Sequence, residues 1–233
     1  MTEPAAAPAH YGNATLELIT NTLAGDVSRA AVLMRHSARE YRRDIHDMDN
    51  PLTDPGREFC RRLGRALPKT LHLRGYHSPA GRCAETTQLI IDTHMAHGGG
   101  AARVRAVESL GVFYALDQRK MWKAMEPLGL KGLVKAWANQ ELAADAMIPA
   151  ATAAELILDA TLARLHTSEP ANHVDLNVTH DLTLYLLKQQ YLGFDPEAVD
   201  TEYLDALILF ERGGDHWLQS QHGPAQRVEL SAP

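Results

Sequence analysis

Cysteine is scarce in this chain, with only Cys60 and Cys83 among 233 residues. Two cysteines supply neither a disulfide framework nor a zinc-site spacing. Both fall in segments that read as helix or helix start, so reduced thiols used for packing are expected. No run of about 18 apolar residues occurs, so a membrane-spanning helix is not expected. The opening stretch MTEPAAAPAHYG has neither the basic nor the apolar region of a secretion signal, and a cytoplasmic location is expected. There is no excess of basic charge: 23 Lys and Arg against 29 Asp and Glu leave a net charge of -6. That argues against a general nucleic-acid or membrane-surface binder. It leaves room for an anionic ligand, because a few arginines in a pocket make their own local field. Internal repeats and low-complexity segments are also absent. What is present, 45% apolar and 22% charged residues, is enough for one sizeable core, and a single domain over residues 1–233 is expected.

Residues 1–13 read as an Ala/Pro-rich arm, followed by a short helix from Thr15 to about Gly25. The continuous apolar run Ala30–Met34 suits a strand buried on both faces, as in a parallel sheet. A polar loop, Ala38–Asn50, leads to Thr53, which can cap a helix starting near Pro55. On that helix Gly56, Phe59, Cys60, Leu63 and Leu67 share one face. Arg57, Arg61, Arg62 and Arg65 lie on the other, as a solvated face. Further strands are expected at Gly75–Ser78, Arg103–Val107, Val174–Val178, Ala206–Phe210 and Trp217–Ser220. Helices are expected at about 83–97, from a capping box at Thr152 and Glu155 to about His166, and at 182–192 before Gly193. Residues 110–150 hold Trp122 and Trp137 and read as a helical insertion able to form a lid.

Strands alternating with helices imply an α/β sheet covered on both faces. In such folds the site lies beyond the C-terminal ends of the strands. Three predicted strands end beside chemical groups: Arg35 and His36, then Ser78 and Arg82, then His180 and Asp181. The topology therefore gathers two histidines and several arginines at one sheet edge. A neutral imidazole can attack phosphorus, and guanidinium groups suit the non-bridging oxygens because their planar forks stay charged. His46, Asp47 and Asp49 fit no strong metal-ligand spacing and read as solvated loop. His94 and His97, near a helix C-terminus, are explained by the helix dipole. Arg42 and Arg43 read as solvent-facing.

These residues resemble the histidine phosphatase superfamily. LMRHSARE (33–40) resembles its Arg-His-Gly strand-loop, with Arg39 where one branch adds an arginine. LTDPGREFCRRLGRAL (52–67) resembles its Leu-Thr-x-x-Gly helix. SPAGRCAETTQLI (78–90) resembles Ser-x-x-x-Arg-x-x-x-Thr, and VTHDLTL (178–184) resembles the late His-Asp segment. The resemblance implies a three-layer α/β/α fold with a mostly parallel central sheet, phosphoglycerate mutase-like, carrying a small helical insertion. It implies a phosphatase that needs no metal and no cofactor, with a small-molecule phosphate ester as its partner. His36 would be the nucleophile. Arg35, Arg39 and Arg82 would hold the phosphate, and His180 would complete the pocket. Asp181 would be the proton donor, with Glu108, after the third strand, as its rival. The family glycine is Ser37 here, expected to narrow the phosphate pocket or add a hydroxyl contact. Glu40 and Tyr41 replace the Arg-x-Pro extension of the larger branch. A phosphoglycerate-mutase-type transferase and an idle phosphate-binding module are the alternatives on the same fold. A homodimer is the assembly considered.

Overall fold

The computed structural model describes residues 10–27, 29–42, 44–167 and 173–230. Most of the expected N-terminal arm, up to residue 9, lies outside them, as does Arg43. In chain order the elements are α1 (Asn13–Leu23), β1 (Arg29–Arg35), α2 (Asp54–Ala66), β2 (His72–His77), α3 (Gly81–Ala96), β3 (Gly100–Ala101) and β4 (Arg105–Ala106). There follow α4 (Gln118–Ala138), α5 (Ala150–His166), β5 (His173–Thr179), α6 (Asp181–Leu192), β6 (Ala206–Arg212), β7 (Asp215–Ser220) and β8 (Gln226–Val228). The sheet order is β3-β2-β5-β1-β6-β7-β8, with β4 also on β2. The pairs β1–β5, β2–β5, β2–β3 and β2–β4 are parallel. The late strands β6, β7 and β8 add on antiparallel.

β1 shows why an unbroken apolar run forms a central strand. Successive side chains point to opposite faces. Ala30, Val32 and Met34 enter the core shared with α1, α2 and α3, while Ala31 and Leu33 enter the core shared with α4, α5 and α6. Both faces are covered, so neither set can be polar. The layers are thus helix, sheet, helix, as expected. β5 places polar residues in a doubly covered strand. Its polar alternate residues do not face solvent, since His173, Asp175 and Asn177 are all fully buried. Arg74 grips Asp175 through Nε and Nη2, each at 2.6 Å, and Arg164 donates to Asn177 Oδ1 at 3.1 Å. A polar stripe in a doubly covered strand is stable only when every group is paired in this way.

Helix starts explain two further points. Thr53 caps α2 by accepting the Gly56 N–H at 3.0 Å, as predicted. The expected capping box at Thr152 does not form. α5 starts three residues earlier, behind Pro149, which serves as N-cap and whose carbonyl accepts the Ala153 N–H at 3.0 Å. The insertion is helical and packs into the main core. Tyr114, Leu133 and Trp137 are buried in it, and Trp137 donates to Ile148 O at 2.7 Å. Within α4, Gly129 takes a positive φ of 66° two residues after Pro127, breaking the helix in two. Both cysteines are free and buried. Burial pushes the Cys60 thiol up to about 11 and the Cys83 thiol up to about 12, which suits inert packing groups. Among the described residues no helix is long and apolar enough to cross a membrane.

Candidate active site

β1, β2 and β5 run parallel and in register, Arg35 beside Thr179 and His77 beside Val178. Their C-terminal ends therefore deliver the chain to one edge. His36 follows β1, with its N–H bonded to Thr179 O at 3.0 Å. Ser78 follows β2, and His180 follows β5. Arg82 rises from the first turn of α3 between them.

The side chains form a closed network. His36 Nδ1–H donates to Ser37 O at 2.8 Å, which leaves the Nε2 lone pair pointing into the site. Arg82 Nε–H donates to that Nε2 at 3.1 Å. Arg82 Nη2 reaches His180 Nδ1 at 3.3 Å, and His180 Nε2–H donates to Ser78 Oγ at 2.8 Å. The two imidazole rings stand 5.8 Å apart at 70°. These partners fix both tautomers. Burial, then the neighbouring His180 and Arg82, holds His36 well below the ordinary histidine value. Burial and Arg82 hold His180 down to about 4. Near pH 7 both rings are neutral.

The cradle opens into a cavity of about 280 Å³. His36, His180, Arg39, Arg82 and Asp181 all line it, so these five predicted residues converge. Three others do not. Arg35 is turned into an adjoining cleft of about 560 Å³. There its guanidinium pairs with Asp181 at 2.8 Å, donates to Thr201 O at 2.7 Å and stacks 4.2 Å from the Tyr203 ring centroid. The cause is strand alternation, since neighbours on one strand point opposite ways. Ser37 is fully buried and gives its hydroxyl to Gly56 O at 2.8 Å, away from the cavity. The Leu-Thr-x-x-Gly helix packs so tightly on this loop that a Cβ at Gly56 would lie 2.2 Å from Ala38 O. Glu108 sits exposed in a single 3-10 turn and is not among the residues lining the cavity.

Asp47, whose sequence context is a polar loop, lies in the middle of the site. Its Oδ1 accepts from Arg39 at 2.6 Å and its Oδ2 from Arg82 at 3.0 Å, and its carbonyl accepts from Arg82 Nη1 at 2.6 Å. Burial by itself would raise its carboxyl, but Arg82 and Arg39 outweigh that and hold it below the usual range. No local motif marks Asp47, because the loop must curl back before it meets arginines eight and 35 residues away. Ser78 and Thr86, which could be plain helix-start residues, each support a site group. Ser78 orients His180, and Thr86 Oγ1 accepts the Ser37 N–H at 3.1 Å while donating to Arg82 O at 2.8 Å. His46 caps the turn at Asp47 by accepting the Met48 N–H. Arg42 is exposed and pairs with Asp44.

Two neutral histidines and a buried arginine, set at the C-terminal edge of a mostly parallel sheet, define an α/β protein of the phosphoglycerate mutase-like fold. The same fold occurs in YhfR of Bacillus stearothermophilus, at a TM-score of 0.56 and 20% identity over 82% of this chain and 95% of that one. It occurs also in a phosphoserine phosphatase variant from Entamoeba histolytica in complex with phosphoserine (TM-score 0.54, 14% identity, 82% and 95% covered). A third case is phosphoglycerate mutase from Bacillus anthracis str. Sterne (TM-score 0.52, 16% identity, 83% and 93% covered). Residues 31–108 match the model of the histidine phosphatase superfamily (branch 1). That match covers about a third of the chain, and the shared fold extends over most of it. A comparison with the curated proteins finds no match. The matched span carries His36, Arg82 and Glu108, whereas His180 and Asp181 lie beyond it.

Proposed function

We propose that this chain is a phosphatase that hydrolyses a small-molecule phosphomonoester through a phosphohistidine on His36, without a required metal. One observation carries the reading: the Nε2 lone pair of a neutral, buried His36 accepts from the Arg82 guanidinium, with His180 across the same guanidinium. A nucleophile, a cation for the non-bridging oxygens and a second imidazole thus share one small volume. The phosphate seat is the space between Arg39, Arg82 and the two histidines, held by Asp47 in this structure.

In the first step His36 Nε2 forms a bond to phosphorus as the ester P–O bond breaks. Arg82 and Arg39 neutralise the charge on the non-bridging oxygens. Asp181, which lines the cavity and is ion-paired with Arg35, takes up the proton of the bound phosphate monoanion and passes it to the departing alkoxide, and Arg35 acts by positioning that carboxyl. In the second step Asp181 takes a proton from water, water oxygen bonds to phosphorus, and the P–N bond to His36 breaks to release phosphate. Asp181 is preferred to Glu108 because it lines the cavity. The test is hydrolysis of an aryl phosphate with excess chelator, by the native chain and by His36→Ala. Turnover that survives chelator and is lost in the variant supports the mechanism. Turnover that persists in His36→Ala refutes it.

A further inference from the structure

The apolar part of the cavity lining has no part in the phosphoryl chemistry. Val112, Met121, Trp122, Met125, Leu130 and Leu182 form it. Met121, Trp122 and Met125 come from one face of α4, and Leu130 is brought in by the break at Gly129. Trp122 is 46% exposed although the other insertion tryptophan, Trp137, is 3% exposed. A large ring left uncovered beside five apolar side chains has surface to bury against a ligand. A second exposed ring, Tyr41, 61% exposed, also lines the cavity, with Arg39 5.1 Å from its centroid.

Charge sharpens the argument. Among the described residues lining this cavity the cations are Arg39 and Arg82, and both belong to the phosphate seat. No cation remains for a second anionic group. The cavity's carboxylates, Asp47 and Asp181, are each paired with arginine. A substrate carrying a carboxylate would meet apolar wall and negative charge, and a substrate carrying an ammonium would find both acids already occupied. The volume, about 280 Å³, is at the low end of ligand clefts, which run from roughly 300 to 1,000 Å³. It suits one ring or a short aliphatic group beyond the phosphate.

We propose that this wall is the leaving-group subsite and that it selects phosphomonoesters of an uncharged, apolar alcohol, aromatic or aliphatic, over phosphorylated acids and amines. The proposal rests on the phosphatase reading for its chemistry, but its test need not involve turnover. Phosphonates have an unbreakable P–C bond, so their binding to the native protein is measured without hydrolysis. Calorimetric titration with methylphosphonate, benzylphosphonate, 3-phosphonopropionate and 2-aminoethylphosphonate compares apolar, acidic and basic groups on one anchor. Benzylphosphonate is expected to bind at least about tenfold more tightly than methylphosphonate. The acid and the amine are expected to bind no more tightly than methylphosphonate. Trp122→Ala should remove the benzyl advantage and leave methylphosphonate binding in place. Met125→Lys, a second probe that does not touch the ring, should shift preference toward 3-phosphonopropionate. Equal binding of all four, or tighter binding of the acid or the amine than of the benzyl compound, overturns the proposal. Tight benzylphosphonate binding by a protein that turns over no phosphate ester would refute the phosphatase reading and leave the subsite standing.

Discussion

Replacing Asp47 by Asn should make this protein bind phosphate more tightly. The carboxylate spans Arg39 and Arg82 at 2.6 and 3.0 Å, and so occupies the place proposed for the phosphoryl group. A phosphate dianion must displace it before both guanidiniums are free. A hydrogen bond to a charged group contributes about 1.5–3 kcal/mol. The Asp47 side chain is 29% exposed, so water screens part of that, and the displaced carboxylate regains hydration. A net penalty of about 1.4 kcal/mol follows, or about tenfold in affinity. Asn keeps the shape and the carbonyl acceptor but not the charge, and the backbone carbonyl of residue 47 still holds Arg82. The expected result is about tenfold tighter binding of inorganic phosphate by calorimetry, with stronger product inhibition in an aryl phosphate assay. The gain should shrink as salt rises, because salt screens the charge at issue. Unchanged or weaker phosphate binding in a folded Asp47→Asn protein would refute the idea that this carboxylate competes for the seat. The acid limb of stability supplies a second reading. Asp47 is held below its ordinary value in the folded state, so it stabilises the fold above the unfolded pKa of about 4 and loses that effect as pH falls through the folded value. The variant should lack that contribution.

The two histidines act in the same direction over a higher pH range. Both are held below the ordinary value when folded, His180 to about 4, so the unfolded chain takes up protons first. The melting temperature should therefore fall as pH drops from about 6.5 toward 4. Activity should persist below pH 6.5, and a loss of kcat/KM centred on 6.5 would contradict the neutral, buried imidazoles. Gly56→Ala places a Cβ 2.2 Å from Ala38 O. It should cost about 1–3 kcal/mol in denaturant unfolding and reduce turnover by shifting the loop behind His36. Asp175→Ala leaves Arg74 without its buried partner and should cost about 3–5 kcal/mol. A native unfolding midpoint in either variant would refute the packing described for it.

The sequence by itself determined what rests on neighbours along the chain. The doubly buried strand β1, the Thr53 cap of α2 and the left-handed Gly193 closing α6 follow from local patterns of apolarity, capping and permitted φ. The meeting of His36, Arg82 and His180 was legible because each stands at or just beyond a parallel strand end, and parallel strands in register share one edge. Only the tertiary structure decided where side chains point and what they meet. Arg35 and Arg39 look equivalent in the segment RHSAR, yet one turns to Asp181 and the other to Asp47. Ser37 looks like a pocket residue, but the close approach of Gly56 takes its hydroxyl. Asp47 reads as solvated loop until the chain folds and brings Arg39 and Arg82 against it. The polar residues of β5 are buried under both helix layers, and Arg74 and Arg164 arrive to pair them. In each case the deciding partner lies many residues away. A charge or a hydroxyl is assigned by the geometry and desolvation that such distant partners impose, and no local pattern encodes them.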